Sequence, residues 1–168
     1  MQLAPPLKNA ISHLPLLLLS LPARLAFSQI LLVHPKLFDR LGEHASKNFA
    51  FILTDMPLVF VVNPQQKSIK LFKDRKDIKA DAEVEGPLGL LLALAEGRLD
   101  ADALFFSRDV MITGDMEAML ALRNALDDNE IDLPHDLSLL SGPLAPITEK
   151  VAKHLRRHLL KEEPKQWN

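Results

Sequence analysis

The sequence predicts an α+β fold: a five-stranded antiparallel sheet covered by helices, with further helical extensions at the N- and C-termini. Three observations carry this. Apolar residues recur at helical spacing up to about residue 47, then switch to strand-like runs between residues 49 and 85. Those runs are short and joined by brief turns, which suits antiparallel pairing. An apolar helix, a fifth strand-like run and a capped helix follow, so helices are available to cover the sheet.

Residues 1–13 form a Pro-containing lead-in, and residues 14–33 (LPLLLLSLPARLAFSQILLV) are very apolar. A secretory signal needs a basic region before the apolar run and a small-residue cleavage site after it. Only Lys8 precedes this run, and no A-x-A pattern follows. A membrane span needs about 20 uninterrupted apolar residues, and Pro15, Pro22 and Arg24 interrupt this one. A buried helix or an interfacial segment is expected instead. Leu25, Ile30, Leu31 and Val33, with Phe27, place a helix over 22–33. His34-Pro35 ends it, because the residue before proline avoids the α region. A second helix is predicted from Pro35 to about Lys47, with Leu37, Phe38 and Leu41 as its apolar stripe.

FAFILT (49–54) and LVFVVN (58–63) are rich in strand-forming residues and flank Asp55-Met56-Pro57. Asn63-Pro64-Gln65-Gln66 is turn chemistry. SIKLFK (68–73) alternates polar and apolar as a half-exposed strand does, residues 74–79 read as a charged turn, and ADAEVE (80–85) as a fourth strand. Gly86-Pro87 opens a helix, LGLLLALAEG, that Gly97 ends. It is apolar nearly all round, so it is buried or lines something. Leu104 to Thr113 is the fifth strand. Asp115 is a good N-cap, and Glu117 sits in the first turn of a helix running to about Asn129. Residues 134–146 read as loop, and 148–162 as a basic amphipathic helix. Three regions result: an apolar N-terminal extension (1–34), a central domain (35–133), and a C-terminal loop and helix (134–168).

The chain has 168 residues, 48% of them apolar and 25% charged, enough for one domain with a sizeable core. Its formal charge of −2 offers no global positive field for phosphates, so nucleic acid is not an expected partner. Cysteine is absent, which excludes disulfides, a cysteine nucleophile and a cysteine-held iron–sulfur cluster. Tyrosine is absent as well, leaving histidine, carboxylates and lysine for acid–base work.

No constellation for catalysis emerges. His154 and His158 have the i, i+4 spacing of a metal clamp but sit among Arg and Lys, which oppose a cation. His13, His34, His44 and His135 belong to no serine or carboxylate pattern and read as surface or loop residues. Asp127, Asp128, Glu130 and Asp132 lack the spacing and glycine of a calcium loop. Gly86, Gly89 and Gly97 are too scattered for a phosphate cradle, and Asp115 satisfies the backbone donors that Gly114 would otherwise leave for an anion. No catalytic residue, metal ligand or cofactor is therefore expected. What stands out is soft apolar surface: Phe49, Phe51, Phe60, Leu90, Leu91, Phe105, Phe106, Met111, Met116, Met119 and Leu120. Methionine adapts to irregular partners, although composition alone is equally satisfied by a core.

EGRLDADALFFSRDVMITGDMEAMLALRNAL (96–126) resembles the hallmark of the sterol carrier protein type 2 family. In that family a G-[KR]-L-[DS] turn leads to a phenylalanine-rich strand ending in I-x-G-D, then a helix rich in leucine and methionine. Gly97-Arg98-Leu99-Asp100, Phe105-Phe106, Ile112-Thr113-Gly114-Asp115 and Met116 match it. The resemblance covers residues 35–130. The chain departs from the eukaryotic carriers around Arg108, where they have a glycine. Arg123-Asn124-Ala125-Leu126-Asp127, the acidic run, Leu133-Pro134 and the apolar N-terminus are instead similar to bacterial ubiquinone biosynthesis accessory factors of the family.

That resemblance implies a sterol-carrier-like fold and a non-catalytic role in oxygen-independent ubiquinone synthesis. The implied ligands are prenylated quinone precursors and phospholipid. The implied partners are iron–sulfur hydroxylase subunits of that route and, transiently, a membrane surface; the implied location is cytoplasmic, peripheral at the inner membrane. The expected lipid-binding residues are Phe49, Phe51, Phe60, Leu88, Leu91, Leu92, Phe106, Met116, Met119 and Leu120. Strand alternation allows only one of Phe105 and Phe106 to face a ligand. A protein–protein adaptor, and a general lipid carrier without a ubiquinone role, are the alternatives.

Overall fold

The computed structural model of the chain describes residues 15–97 and 109–139. Helix α1 (Leu16–Val33) is followed by a 3₁₀ segment (Asp39–Ser46), strands β1 (Phe49–Leu53), β2 (Val59–Asn63) and β3 (Ser68–Phe72), a 3₁₀ turn (Arg75–Asp77), β4 (Ala82–Gly86), α2 (Leu88–Ala95), β5 (Met111–Gly114), α3 (Met116–Asp127) and α4 (Leu133–Ser138).

The sheet order is β3-β2-β1-β4-β5. Three of its pairings are antiparallel, but β1 and β4 run parallel, Phe49 opposite Ala82 and Leu53 opposite Gly86. The five-stranded α+β architecture is as expected, and the sheet is mixed rather than purely antiparallel. The connection between β3 and β4 explains the difference. Phe72 ends β3 opposite Val59, which lies opposite Ile52, whereas Ala82 starts β4 beside Phe49. The chain must therefore travel back along the strands and across β2 and β1. Residues 73–81 do this while Ile78 and Ala80 pack on Ala50, Ile52, Val59 and Val61. A stretch that reads as a charged turn is a crossover that covers one sheet face. Arg75 holds it to β4 through Glu83 and Glu85.

The other sheet face carries the main core. Alternation puts Phe49, Leu53, Ala82 and Val84 there, against Leu91 of α2 and Ala118, Leu122 and Ala125 of α3. Asp55, buried in the β1–β2 turn, accepts a hydrogen bond from the Leu88 backbone N–H at 3.1 Å. It caps α2 from a distance, since the N-cap Pro87 makes no side-chain cap. Asp55→Ala is expected to leave that N–H unpaired and lower stability by about 1–3 kcal/mol, read from urea midpoints.

Two helical expectations change. Residues 35–47 do not form one α-helix: a 3₁₀ segment runs there with a break at Gly42 (φ 52°, ψ −123°). One tight turn already buries Leu37 and Leu41, and glycine adopts the positive φ that ends it. Residues 134–138, expected as loop, belong to the helix Leu133–Ser138. Asp132 accepts from the His135 backbone N–H and Pro134 sits in the first turn, both good starters for a helix too short to show periodicity. The fifth strand is described from Met111 onward. Its expected start at Leu104, together with Phe105 and Phe106, lies outside the described residues, as do the 148–162 helix, His13, His154 and His158.

His34 is not an isolated surface histidine. Its Nε2 lies 2.8 Å from Asp136 Oδ2, with both side chains largely buried, and this pair ties the end of α1 to α4.

Candidate functional site

A cavity of about 320 Å³ lies between the sheet and helices α2 and α3. Its floor is a row across three strands. Phe51 is opposite Val84, and Val84 is opposite Ile112, so the pleat turns all three the same way. α2 supplies Leu91, Leu94 and Ala95. This explains why that helix is apolar nearly all round: Gly89, Leu91 and Ala93 are buried, and Leu94 and Ala95 face the cavity. α3 supplies Met116, Met119, Leu120, Leu122, Arg123, Leu126 and Asp127, a run at i, i+3, i+4 and i+7 that defines one helix face.

Among the described residues, the cavity has one polar edge. Arg123 and Asp127 stand one helical turn apart, with Nε and Oδ2 separated by 3.6 Å, and both are partly exposed. Met116 and Leu120 are more than half exposed despite lining the cavity, so they stand at its mouth. Such an arrangement can enclose an apolar chain and keep a polar end near the Arg123–Asp127 edge. Among the described residues, no group of three or more His, Asp or Glu could hold a metal.

Of the ten residues expected to contact lipid, Phe51, Leu91, Met116, Met119 and Leu120 are in the lining. Phe49 is fully buried in the core beneath it. Phe60 and Leu88 pack on the same core outside the lining. Leu92 is rotated by about 100° from Leu91 and is exposed. Phe106 lies outside the described residues. Sequence reasoning missed Val84, Leu94, Ala95, Ile112, Leu122, Arg123, Leu126 and Asp127. Continuing the helical period beyond Leu120 would have found the last four. Val84 and Ile112 needed the strand register.

The junction before α3 aims the methionine face. Gly114 has φ +85°, and a Cβ there would lie 2.4 Å from the Asp81 carbonyl oxygen. The next N–H, of Asp115, donates to that same oxygen at 2.8 Å. Asp115 Oδ1 then accepts from the Ala118 N–H at 2.9 Å, capping α3, while Oδ2 pairs with Lys47. The Lys47 hydrogen bond, followed by the Ala118 N–H, holds the Asp115 carboxyl below the usual carboxylate value; Asp115 in turn raises Lys47. The lowered carboxyl contributes stability above about pH 3.8, lost as pH falls through its still lower folded value. The raised ammonium contributes below about pH 10.5, lost as pH rises beyond its higher folded value. Lys47→Gln is therefore expected to lower the urea midpoint at neutral pH. The gap to wild type should close below the carboxyl's titration; a gap persisting unchanged at pH 2 would refute the assignment.

A protein-family model described as the SCP-2 sterol transfer family matches residues 27–127, more than half of the chain. The chain belongs to the SCP-2 sterol transfer family. Among solved structures, a UbiJ-SCP2 ubiquinone synthesis protein aligns with a TM-score of 0.56 at 16% identity, covering 71% of this chain and 98% of that one. At that identity the likeness shows the SCP-2 fold. Sterol carrier protein 2 from Yarrowia lipolytica, in its apo form, aligns with a TM-score of 0.44 at 17% identity, covering 63% of this chain and 90% of its own. Sterol carrier protein 2 from Aedes aegypti in complex with palmitate gives 0.43 at 13% identity, with 54% and 91% covered. A sequence search of curated proteins finds no match. The cavity occupies the part of the chain that the SCP-2 match spans.

Proposed function

We propose that this SCP-2 family member is a non-catalytic lipid-binding accessory factor in oxygen-independent ubiquinone biosynthesis. It holds prenylated quinone precursors in the apolar cavity and presents them to iron–sulfur hydroxylase subunits. The observation that carries the lipid part is the cavity, whose lining among the described residues is apolar except for the Arg123–Asp127 edge. The pathway part rests on the resemblance of the α3 end, the acidic run and the apolar N-terminus to the accessory factor UbiT. Phospholipid is a second ligand class for the same space. The protein works in the cytoplasm and peripherally at the inner membrane.

The cavity's size sets how a ligand sits. At about 320 Å³ it is at the small end of ligand pockets, so it encloses only part of a long polyprenyl tail. Each Å² of tail removed from water returns about 25 cal/mol. Against a bilayer, which is equally apolar, the net gain is far smaller, and a carrier needs that balance to load and unload.

Native mass spectrometry or lipid extraction of protein purified without detergent from its host tests the reading. A bound quinone precursor is expected. Leu91→Trp, which fills the cavity from α2, is expected to lower bound lipid about tenfold while leaving the chain folded. Repeated recovery of no lipid from wild type would count against the reading. Full pathway activity and retained partners in Leu91→Trp would favour an adaptor. Phospholipid alone, with no pathway defect on deletion, would favour a general carrier.

A further inference from the structure

The polar edge of the cavity lies where two helices end. Leu94 and Ala95 belong to the last turn of α2, and Arg123 and Asp127 to the last turns of α3. Gly97, just past α2, comes against the same edge: a Cβ there would stand 3.4 Å from Asp127 Oδ1. The last carbonyls of both helices add partial negative charge at this end. Met116, at the exposed mouth, begins α3 and lies about 16 Å along the helix from Asp127. The α3 face is therefore apolar at one end of the cavity and polar at the other. Arg123 Nε and Asp127 Oδ2 are 3.6 Å apart, an ion pair longer than a hydrogen bond. One ligand oxygen can stand about 2.8 Å from both atoms.

We propose that the Arg123–Asp127 pair selects a lipid with a neutral hydroxyl head, a prenylated phenol, over one with a phosphate head. The inference rests on the lipid-binding reading and names the residue that ranks the two ligand classes: Asp127. A phenol O–H donates to the Asp127 carboxylate, while the same oxygen accepts from the Arg123 guanidinium. Both charges of the pair keep a partner when the head arrives. A phosphate gains Arg123 but meets the Asp127 carboxylate and the negative ends of two helices. A cationic head gains Asp127 but meets Arg123. The neighbouring carboxylate, Asp128, is held by Arg40. With the head at this edge, the tail lies along α3 over Phe51, Val84 and Ile112 and leaves past Leu120 and Met116. That orientation suits a cavity that encloses only part of a long tail.

Calorimetric titration of the full chain with two probes of identical tail, 2-geranylphenol and geranyl phosphate, tests it. Wild type is expected to bind the phenol about tenfold more tightly than the phosphate. Asp127→Asn keeps the side chain's size and removes its charge. It is expected to tighten phosphate binding about tenfold and so abolish the preference. Arg123→Gln is expected to weaken the phosphate further and widen the preference. Leu91→Trp is expected to weaken both probes equally, because it fills the space of the shared tail. Arg123 and Asp127 are both partly exposed, so urea midpoints of the edge variants should stay near wild type. Equal wild-type affinity for the two probes, or an unchanged ratio in Asp127→Asn, would overturn the selection and leave the lipid reading standing. Binding of neither probe by wild type would overturn the lipid reading and this inference together.

Discussion

Phe49→Ala is expected to lower stability by about 3–5 kcal/mol, while Phe51→Ala costs about 2 kcal/mol and changes lipid binding instead. The two phenylalanines occupy the same strand face two residues apart. Phe49 has no exposed surface and is among the largest fully buried side chains. It sits under α3 and the 3₁₀ segment, so its removal leaves a void that the helices cannot fill. Folded domains have a margin of only about 5–15 kcal/mol, so much of it would be lost. Phe51 borders space already open to a ligand, and its truncation enlarges a cavity rather than creating one. Urea unfolding, with lipid extraction in parallel, separates the pair. Equal stability losses and equal lipid content in both variants would contradict the placement.

Gly114→Ala is expected to cost about 3 kcal/mol or more and to empty the cavity. Two causes act together. The backbone φ of +85° is strained for any L side chain, and the added Cβ would meet the Asp81 backbone oxygen at 2.4 Å. Backbone cannot rotate away as a side chain can. Relief would have to come from moving β5 away from β4, where Gly114 is opposite Ala82, or from breaking the Asp115 N–H bond to Asp81. Either route misplaces the cap of α3 and its methionine face. Gly42→Ala is the control: its φ is +52°, but nothing lies within 4 Å of an added Cβ, so about 1 kcal/mol is expected. Similar urea midpoints for the two variants would show that the close approach at Gly114 does not matter.

Much of this was legible in the residues. β1 and β2 follow from their strand-forming residues, β3 from its alternation, and α3 from its cap at Asp115 and its methionine stripe. The turn at Gly114-Asp115 was readable as a glycine corner feeding a helix. Half of the expected contact residues line the cavity because helix and strand periods place faces reliably. Phe49 and Phe60 could not be told from Phe51 in this way. All three point to one side of the sheet, and only the position of α2 and α3 above it distinguishes core from cavity. Leu92 was misplaced because an all-apolar helix has no pattern to show which side is covered.

By itself the sequence determined strands β1 to β4, helices α2 and α3, where α3 is capped, and that the chain resembles a sterol carrier. These are local or nearest-neighbour properties, written in periods of two and 3.6 residues and in a short motif. The tertiary structure alone decided that β4 runs parallel to β1 over a crossover packed on the sheet, and that His34 meets Asp136 across 102 positions. Each depends on which distant segments meet, and apolar burial, having no direction of its own, leaves that choice to the packing of the whole chain.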